Sequence, residues 1–227
     1  MTGLAETIGR YHRVRSLGRG GQGQVDEAVL HGPGGLRKRV ALKLLAGGDG
    51  LRREASIAGL LRHPHLVDVY EVGEQDGVWF CAMELCSGGS LAERGALPPR
   101  AVVEIGLQVC AALQYAHEEL ALVHLDLKPS NLLLDGEVVK VADLGMAQAA
   151  GFSDRRRGGT LGYMAPEQAQ GRPVDARSGV FALGVTLVEL ATGRRLVPSA
   201  PTFDLDAGED AGAAAPSPGP PPACQPD

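Results

Sequence analysis

The stretch "HLDLKPSN" at residues 124–131 places an aspartate, a lysine and an asparagine within eight positions. Asp126 can accept the proton of an attacking hydroxyl group, and Lys128 can neutralise a transferring phosphoryl group. Asn131 can hold a metal ion through its side-chain oxygen. A turn or a helix cap explains any one of these side chains, but a connection between two helices needs no such ordered set. The stretch therefore predicts a phosphoryl-transfer site.

A second motif, "ADLG" at residues 142–145, follows a short predicted strand. Its Asp143 offers a hard carboxylate of the kind that Mg²⁺ prefers. Taken alone, this residue has a plain alternative, which is an aspartate that caps a turn. Because Asp143 follows Asp126 and Asn131 in order, we predict metal ligands at both Asn131 and Asp143.

A glycine-rich stretch, "LGRGGQGQV" at residues 17–25, matches G-x-G-x-x-G-x-V through Gly18, Gly20, Gly23 and Val25. Glycine lets backbone amides approach a phosphate closely. The match alone is weak, because the 32 glycines of the chain are about twice the usual share. An ordinary glycine-rich hairpin is the alternative. The following "QVDEAVLH" is typical of a strand, which argues against a Rossmann turn, since that turn opens into a helix.

The stretch "VALK" at residues 40–43 places Lys43 in an apolar strand, where a solvated edge lysine is the ordinary interpretation. The chain has eighteen arginines but few lysines, so a lysine inside a motif indicates the compact ammonium that suits a phosphate. Glu54 lies on a predicted helix over residues 51–62 and can turn inward to pair with Lys43. A solvated glutamate beside neighbouring arginines is the alternative. The four lysines are Lys38, Lys43, Lys128 and Lys140.

Composition excludes several classes of partner and location. The net charge of −5 argues against nucleic acid, and all 22 lysines and arginines lie at or before Arg195. The four cysteines lack C-x-x-C pairing, which predicts reduced thiols and a cytoplasmic location. "HPH" at residues 63–65 is typical of a loop and not of a metal site. The most apolar stretch, residues 180–191, is too short to span a membrane, so we expect no membrane segment.

Hydrophobic periodicity divides the chain into a β-rich first part, a helical second part and a tail. Residues 11–45 alternate between apolar and polar side chains and are broken by glycine clusters. Residues 178–192 are apolar almost all round and predict a central helix buried by others. From Pro198 onward there are eight of the fifteen prolines and five acids without a base, which predicts disorder. Further predicted elements are strands over residues 67–72, 78–85, 132–134 and 138–141, and helices over residues 51–62 and 100–122.

In their order, these motifs resemble a eukaryotic-like serine/threonine protein kinase of the type found in bacteria. The resemblance runs from Tyr11 to Arg195 and includes "GTLGYMAPEQ" at residues 159–168. Aminoglycoside-type phosphotransferases share the H-x-D…N and D-x-G motifs, but Lys128 and the 159–168 segment are similar to protein kinases. Lys128 together with Thr160 resembles the serine/threonine branch.

The resemblance implies an α+β, two-lobed fold that lacks the last helices of the family's C-lobe. A connector, "CSGGS" at residues 86–90, joins the two lobes. The implied parts are a β-rich N-lobe at residues 1–86, a partial helical C-lobe at residues 87–197 and a disordered Pro/Ala/Asp-rich tail at residues 198–227.

The resemblance also implies ATP and Mg²⁺ as cofactors and a protein serine or threonine hydroxyl as the acceptor. Asp126 would be the base, beside Lys128 as the residue that neutralises the transferring phosphoryl group. Asn131 and Asp143 would bind the metal ion.

For the nucleotide, the resemblance implies that Lys43, held by Glu54, contacts the α- and β-phosphates. The glycine hairpin would cover the phosphates, a gatekeeper would close the back of the adenine pocket, and a hinge would bind the adenine. The implied nucleotide-binding residues are Leu17, Gly18, Gly20, Gly23, Val25, Ala41 and Lys43, with Met83 as the gatekeeper and Glu84 to Cys86 as the hinge.

The chain departs from the family pattern at several positions. Leu125 stands where many kinases have arginine, Asp26 where an aromatic residue is usual, and Gly179 where an aspartate anchors the catalytic loop. No arginine follows Arg195, so we expect Glu167 to lack its usual partner. We expect an active Mg·ATP-dependent serine/threonine kinase. The alternative is a pseudokinase that binds nucleotide or serves as a scaffold, and an unstable fragment is a third interpretation.

Two further expectations follow from these departures. An uncovered apolar helix over residues 178–192 predicts self-association through the C-lobe. Leu125 has neither a donor nor a charge, so activity should not depend on phosphorylation of the activation segment. Ser153 beside the arginines at residues 155–157 is the best case for the opposite view.

Overall fold

The computed structural model describes residues 6–20, 23–46, 59–143, 148–149 and 159–197. The first part is a six-stranded sheet in which every neighbouring pair is antiparallel. Its strands are β1 (Thr7–Ile8), β2 (Tyr11–Gly20), β3 (Gly23–His31), β4 (Arg37–Ala46), β5 (Val69–Gln75) and β6 (Val78–Met83). The strand order is β1-β2-β3-β4-β6-β5. The predicted strands and hairpins over residues 11–45 are thereby confirmed.

The two sides of this sheet have different compositions, because successive side chains of a strand point to opposite sides. One side is an apolar core in which the rings of Tyr11 and Phe80 meet edge-on at 5.9 Å. The other side carries the candidate nucleotide residues, since the register pairs Val25 with Lys43 and Ala41 with Met83. The buried residues of the apolar side are Ile8, Tyr11, Ala28, Val40, Leu42, Leu44, Phe80 and Ala82.

The β5–β6 hairpin turns through Asp76 and Gly77, both at positive φ (52° and 77°). Two successive left-handed residues match the twist of the flanking strands. The two strands of this hairpin are those predicted over residues 67–72 and 78–85, with shifted ends.

The second part is built on two long helices, α1 (Pro99–Leu120) and α3 (Ala176–Thr192), with a short α2 (Pro166–Ala169) before α3. Helix α1 ends at a left-handed residue, Ala121. Helix α3 begins where the Asp175 side chain accepts the backbone N–H of Arg177, and it ends at left-handed Gly193. Side-chain capping and a C-terminal glycine are the usual solutions for unpaired helix ends.

Short strands and 3₁₀ turns connect these helices. Strand β7 (Leu122–Val123) pairs with β10 (Gln148–Ala149), and β8 (Leu132–Asp135) pairs with β9 (Val138–Val141). The predicted strands over residues 132–134 and 138–141 are confirmed. The 3₁₀ turns are Pro33–Gly35, Leu91–Glu93 and Pro129–Asn131.

The sheet and the helical part are joined through β9. Val141 forms a parallel bridge with Leu66, and the backbone N–H of Val67 donates to the Val141 carbonyl at 3.0 Å. Leu61 and Leu66 belong to the same apolar cluster as the buried side of α1. The segment before β5 is therefore packed on the helical part, next to the strand that leads to Asp143.

Helix α3 is not buried on all sides, although its apolar composition predicted this, and it fits the other expectation, that part of its apolar surface is uncovered. In the described structure Val180 is 64%, Phe181 43% and Val188 40% exposed. Within the described part of the chain the helix packs mainly against α1, β7 and the Pro129–Asn131 turn, and these three apolar side chains are exposed. Its buried residues are Ser178, Gly179, Ala182, Leu183, Thr186 and Leu190.

Several predictions concern residues that the structure does not describe. Residues 51–58 of the predicted 51–62 helix are among them, and residues 59–60 lie in a turn. Glu54, the activation-segment residues 150–158 and the tail at residues 198–227 also lie outside the described residues.

Candidate active site

The loop that carries Asp126 is fixed by a buried histidine. The Nε2 atom of His124 lies 3.0 Å from the carbonyl oxygen of Ala142. Its Nδ1 atom lies 3.3 Å from the backbone N–H donor of Asp126. This pair of contacts fits the neutral imidazole with its hydrogen on Nε2. His124 thereby ties the Asp126 backbone to the residue that precedes Asp143.

Leu125 replaces the family's arginine with an apolar contact. The side chain is 6% exposed and lies in a small cluster with Val123 and Val174. Its backbone is left-handed, with φ 48°, a conformation that costs free energy for a residue other than glycine. The Gln168 amide donates to the Leu125 carbonyl at 2.7 Å, and Gly159 lies beside the same carbonyl. Buried hydrogen bonding and packing therefore hold this strained position.

Asp126 is the centre of a four-residue hydrogen-bond network and is 2% exposed. Its Oδ1 atom accepts the Thr160 hydroxyl at 2.7 Å. Its Oδ2 atom lies 2.8 Å from Nζ of Lys128 and 3.2 Å from Nδ2 of Asn131. Lys128 Nζ also donates to the Thr160 hydroxyl at 2.6 Å. The structure thus brings together the three residues that the 124–131 stretch singled out.

Thr160 is the member of this network that local sequence spacing missed. It lies 34 positions after Asp126, in the 159–168 segment. Its hydroxyl accepts from one charged partner and donates to the other, so it fixes Asp126 and Lys128 relative to each other. The only signal in the sequence was the resemblance of residues 159–168 to a kinase motif.

Asn131 and Asp143 are linked through the backbone of Ala142. The Asn131 amide nitrogen donates to the Asp126 carbonyl at 2.8 Å, which directs its amide oxygen away from Asp126. The Ala142 N–H donates to the Asn131 carbonyl at 2.9 Å, so Asp143 follows immediately after a residue held by Asn131. An amide oxygen and a carboxylate are the hard ligands that suit Mg²⁺. Within the described ranges, no group of three or more His, Cys, Asp or Glu side chains is placed to hold a metal.

Lys43 meets Asp143 across the gap between the sheet and the helical part. Its Nζ atom lies 2.9 Å from Oδ1 of Asp143, and the two side chains are 8% and 20% exposed. Asp143 is left-handed, with φ 64°. The predicted partner of Lys43, Glu54, lies outside the described residues. The carboxylate seen beside the lysine is therefore the predicted metal ligand.

The glycine hairpin forms the ends of β2 and β3. The register pairs Gly20 with Gly23 and Gly18 with Val25. A Cβ atom added at Gly18 would meet nothing within 4 Å. Leu17 lies at an irregularity in the β2–β3 pairing and is 39% exposed. The backbone of this hairpin is open to the approach of a ligand on its Val25 side.

The segment after Met83 is anchored by a charged contact. Glu84 lies 3.0 Å from Lys140 Nζ through its Oε2 atom, and Oε2 also accepts the Asp68 N–H at 3.3 Å. Burial, with help from the nearby carboxylates, raises the pKa of the Cys86 thiol to about 12. Sequence reasoning missed Lys140, because the two charges come from separate elements that only the fold brings together.

Gly179 and Glu167 clarify two of the departures from the family pattern. A Cβ at Gly179 would meet only Leu113, whose Cδ1 lies 3.9 Å away, so the helix leaves room there for a side chain. Glu167 has a partner in the described structure, because the Ser178 hydroxyl donates to its Oε1 atom. The partner of Glu167 in the described structure is therefore a hydroxyl, whereas the expectation concerned the arginine that the family usually places there.

The sheet, the helical part and these side chains define a class of protein, the two-lobed phosphotransferases of the protein-kinase fold. A buried carboxylate–lysine–amide loop lies below the sheet, and a lysine from the sheet pairs with a carboxylate from the helical part. The chain belongs to the protein kinase domain family, which matches residues 11–209. The resemblance that the motifs indicated is thereby confirmed.

Several bacterial kinases are similar to this chain. It is 35% identical to serine/threonine-protein kinase PrkC of Bacillus subtilis over 206 residues, which cover 82% of this chain and 31% of PrkC. It is 36% identical to serine/threonine-protein kinase PknD of Mycobacterium tuberculosis over 209 residues, covering 84% and 31%. Tyrosine-protein kinase MasK of Myxococcus xanthus is 33% identical over 217 residues, covering 83% and 34%.

The chain therefore spans about a third of the length of these relatives. Of the helices in the described part, none has the length and apolar character needed to cross a membrane.

Proposed function

We propose that the chain is a Mg·ATP-dependent protein kinase that transfers the γ-phosphate to serine or threonine hydroxyls of protein substrates. The network at Asp126 carries this proposal. A carboxylate accepts about four hydrogen bonds, and Asp126 accepts three from Thr160, Lys128 and Asn131. The remaining acceptor position is on Oδ1. A substrate hydroxyl that donates to it has its oxygen free to attack.

In this mechanism Asp126 first orients the substrate hydroxyl and then takes its proton as the new oxygen–phosphorus bond forms. The phosphoryl group leaves the β-phosphate oxygen, and ADP is the second product. Lys128, already 2.6 Å from Thr160, supplies positive charge next to the transferring group. Mg²⁺, when bound, neutralises charge on the phosphate oxygens, and Asn131 and Asp143 are the residues that would hold it.

The nucleotide would bind under the Val25 side of the sheet. Lys43 would contact its phosphates, and Gly18, Gly20 and Gly23 would let the hairpin backbone cover them. We further propose Met83 as the gatekeeper, Glu84 to Cys86 as the adenine-binding hinge and residue 86 as the end of the N-lobe. Leu17, Val25 and Ala41 would supply apolar contacts to the base.

The test is transfer of radiolabelled phosphate from ATP to a generic protein acceptor by purified chain, with and without Mg²⁺. Asp126→Asn is the control, and it should abolish transfer while ATP-induced thermal stabilisation remains. Phosphoamino-acid analysis of the product identifies the acceptor. Phosphotyrosine alone would contradict the serine/threonine assignment and favour a tyrosine-kinase activity, as the name of tyrosine-protein kinase MasK indicates for that relative.

A pseudokinase is the second candidate, and the space beside Gly179 favours it. The family's aspartate at this position would accept hydrogen bonds from the catalytic loop, and glycine cannot. ATP-dependent stabilisation without any transfer by the wild-type chain, and gain of transfer in Gly179→Asp, would decide for this candidate. No stabilisation by millimolar ATP under any metal condition would refute both.

We also propose that the chain associates with a second copy of itself through the exposed side of α3. This side carries Val180, Phe181 and Val188, and the helix has no charged residue between Arg177 and Glu189. An uncharged apolar face is complementary to itself in a two-fold dimer. Sedimentation should find a concentration-dependent dimer that Val180→Glu abolishes. A monomer at all concentrations would overturn the proposal.

A further inference from the structure

A hydrogen-bonded network of polar side chains crosses the outer side of the glycine hairpin. The Arg19 guanidinium donates to Oε1 of Gln24 at 2.6 Å, and the Gln24 amide donates to Oδ1 of Asp26 at 2.7 Å. Asp26 in turn holds Arg13, whose Nε atom lies 2.5 Å from Oδ2. The contacts run from the tip of the hairpin to the body of the sheet.

This polar network lies on the side of the hairpin opposite the predicted nucleotide-binding residues. Gln24 and Asp26 flank Val25 in β3, so their side chains point away from the side that carries Val25. Asp26 pairs in register with Leu42, which belongs to the apolar core of the sheet. The polar contacts therefore tie the back of the hairpin to that core.

The end of this network nearest the core of the sheet is the buried ion pair between Arg13 and Asp26. Asp26 is 1% exposed and the Arg13 side chain 15%, so the ion pair is screened little by water. A buried carboxylate that keeps its charge needs partners that satisfy its oxygens, and Arg13 and Gln24 each satisfy one. At this position the family usually has an aromatic residue, and here a charged contact takes its place.

Backbone pairing between β2 and β3 extends to Gly20 and Gly23 at the end of the hairpin. Its glycines have no side chains to pack, and a Cβ at Gly18 would meet nothing within 4 Å. Glycine also loses more conformational freedom on ordering than any other residue. Besides this backbone pairing, the order of the hairpin end therefore depends on side-chain contacts beside the glycines, and Arg19 with Gln24 is such a pair in the described structure.

We propose that Gln24 and Asp26 are positioning residues that hold the glycine hairpin in place over the nucleotide. Neither residue touches the reacting atoms. They lower the free-energy cost of ordering the hairpin when ATP binds, so their effect falls on the affinity for ATP and not on the transfer step. The expected change in KM for ATP rests on the proposed kinase function, whereas the expected change in the order of the hairpin does not.

The test compares Gln24→Ala and Asp26→Asn with Arg10→Ala. The control removes an exposed ion pair with Glu71, at 60% and 34% exposure, elsewhere on the same sheet. Two measurements are made: amide hydrogen exchange of residues 18–25 in the nucleotide-free chain, and KM for ATP together with kcat. We expect Gln24→Ala to speed exchange and to raise KM about three- to tenfold, with kcat within about twofold of wild type. Arg10→Ala should change neither measurement.

The two measurements separate the possible failures. If wild-type chain neither binds nor uses ATP, the proposed function is wrong, and the exchange data alone decide the positioning claim. If Asp26→Asn does not fold, Gln24→Ala decides, because it leaves the Arg13–Asp26 pair intact. Unchanged exchange in Gln24→Ala would overturn the inference, as would equal losses in kcat and in ATP affinity.

Discussion

Replacing Thr160 by valine removes one hydroxyl from the Asp126 network and leaves a side chain of similar shape. The hydroxyl donates to Asp126 at 2.7 Å and accepts from Lys128 at 2.6 Å. Hydrogen bonds to charged groups contribute about 1.5–3 kcal/mol each. Asp126 keeps Lys128 and Asn131 as partners, so the net loss should correspond to about one such bond.

We therefore expect Thr160→Val to lower kcat/KM for the protein substrate about 10- to 100-fold, equivalent to about 1.4–2.7 kcal/mol in the barrier. Thr160 contacts the base and the lysine and not the nucleotide residues, so KM for ATP should stay within about twofold. Steady-state transfer of radiolabelled phosphate at varied ATP and varied protein acceptor measures both quantities.

Thr160→Ser is the matched control, since it keeps the hydroxyl and loses only a methyl group. It should retain activity within about threefold of wild type. Wild-type kcat/KM in Thr160→Val would refute the idea that Thr160 fixes Asp126 relative to Lys128. A large rise in KM for ATP with unchanged kcat would place the role of Thr160 at the nucleotide instead.

Three other predictions follow from single positions. Gly179→Ala should raise the melting temperature by about 2–4 °C, because alanine stabilises a helix interior by about 0.5–1 kcal/mol relative to glycine and there is space for its Cβ. Gly106→Ala is the control. It should give no such gain, since its Cβ would lie 3.1 Å from Cδ1 of Leu187. Cys86 should react with iodoacetamide at pH 8 at least about a hundredfold more slowly than a free thiol, because a pKa of about 12 keeps the thiol protonated. Labelling followed by mass spectrometry measures the reaction rate, and rapid loss of the thiol would contradict the prediction. Ser153→Ala and phosphatase treatment should leave transfer activity within about threefold, since Leu125 offers no partner for a phosphate, whereas a loss of tenfold or more would identify a phosphorylation switch.

The sequence by itself determined the elements that depend on short spacing. Alternation and glycine turns predict the hairpins of the sheet, and the 124–131 stretch brings Asp126, Lys128 and Asn131 within reach of one another through a single loop. Ordered motifs also predict the family. These features are local, because neighbours along the chain cannot be far apart in space.

The tertiary structure decided the contacts between distant segments. Thr160 on Asp126, Lys140 on Glu84 and Ser178 on Glu167 each join separate elements, and nothing in the spacing of the sequence selects these partners among the other charged and hydroxyl residues. The exposure of α3 has the same origin. Hydrophobic periodicity reports which sides of a helix are apolar, but burial depends on whether another element packs against each side. Among the described residues, α1, β7 and the Pro129–Asn131 turn pack against one side of this helix.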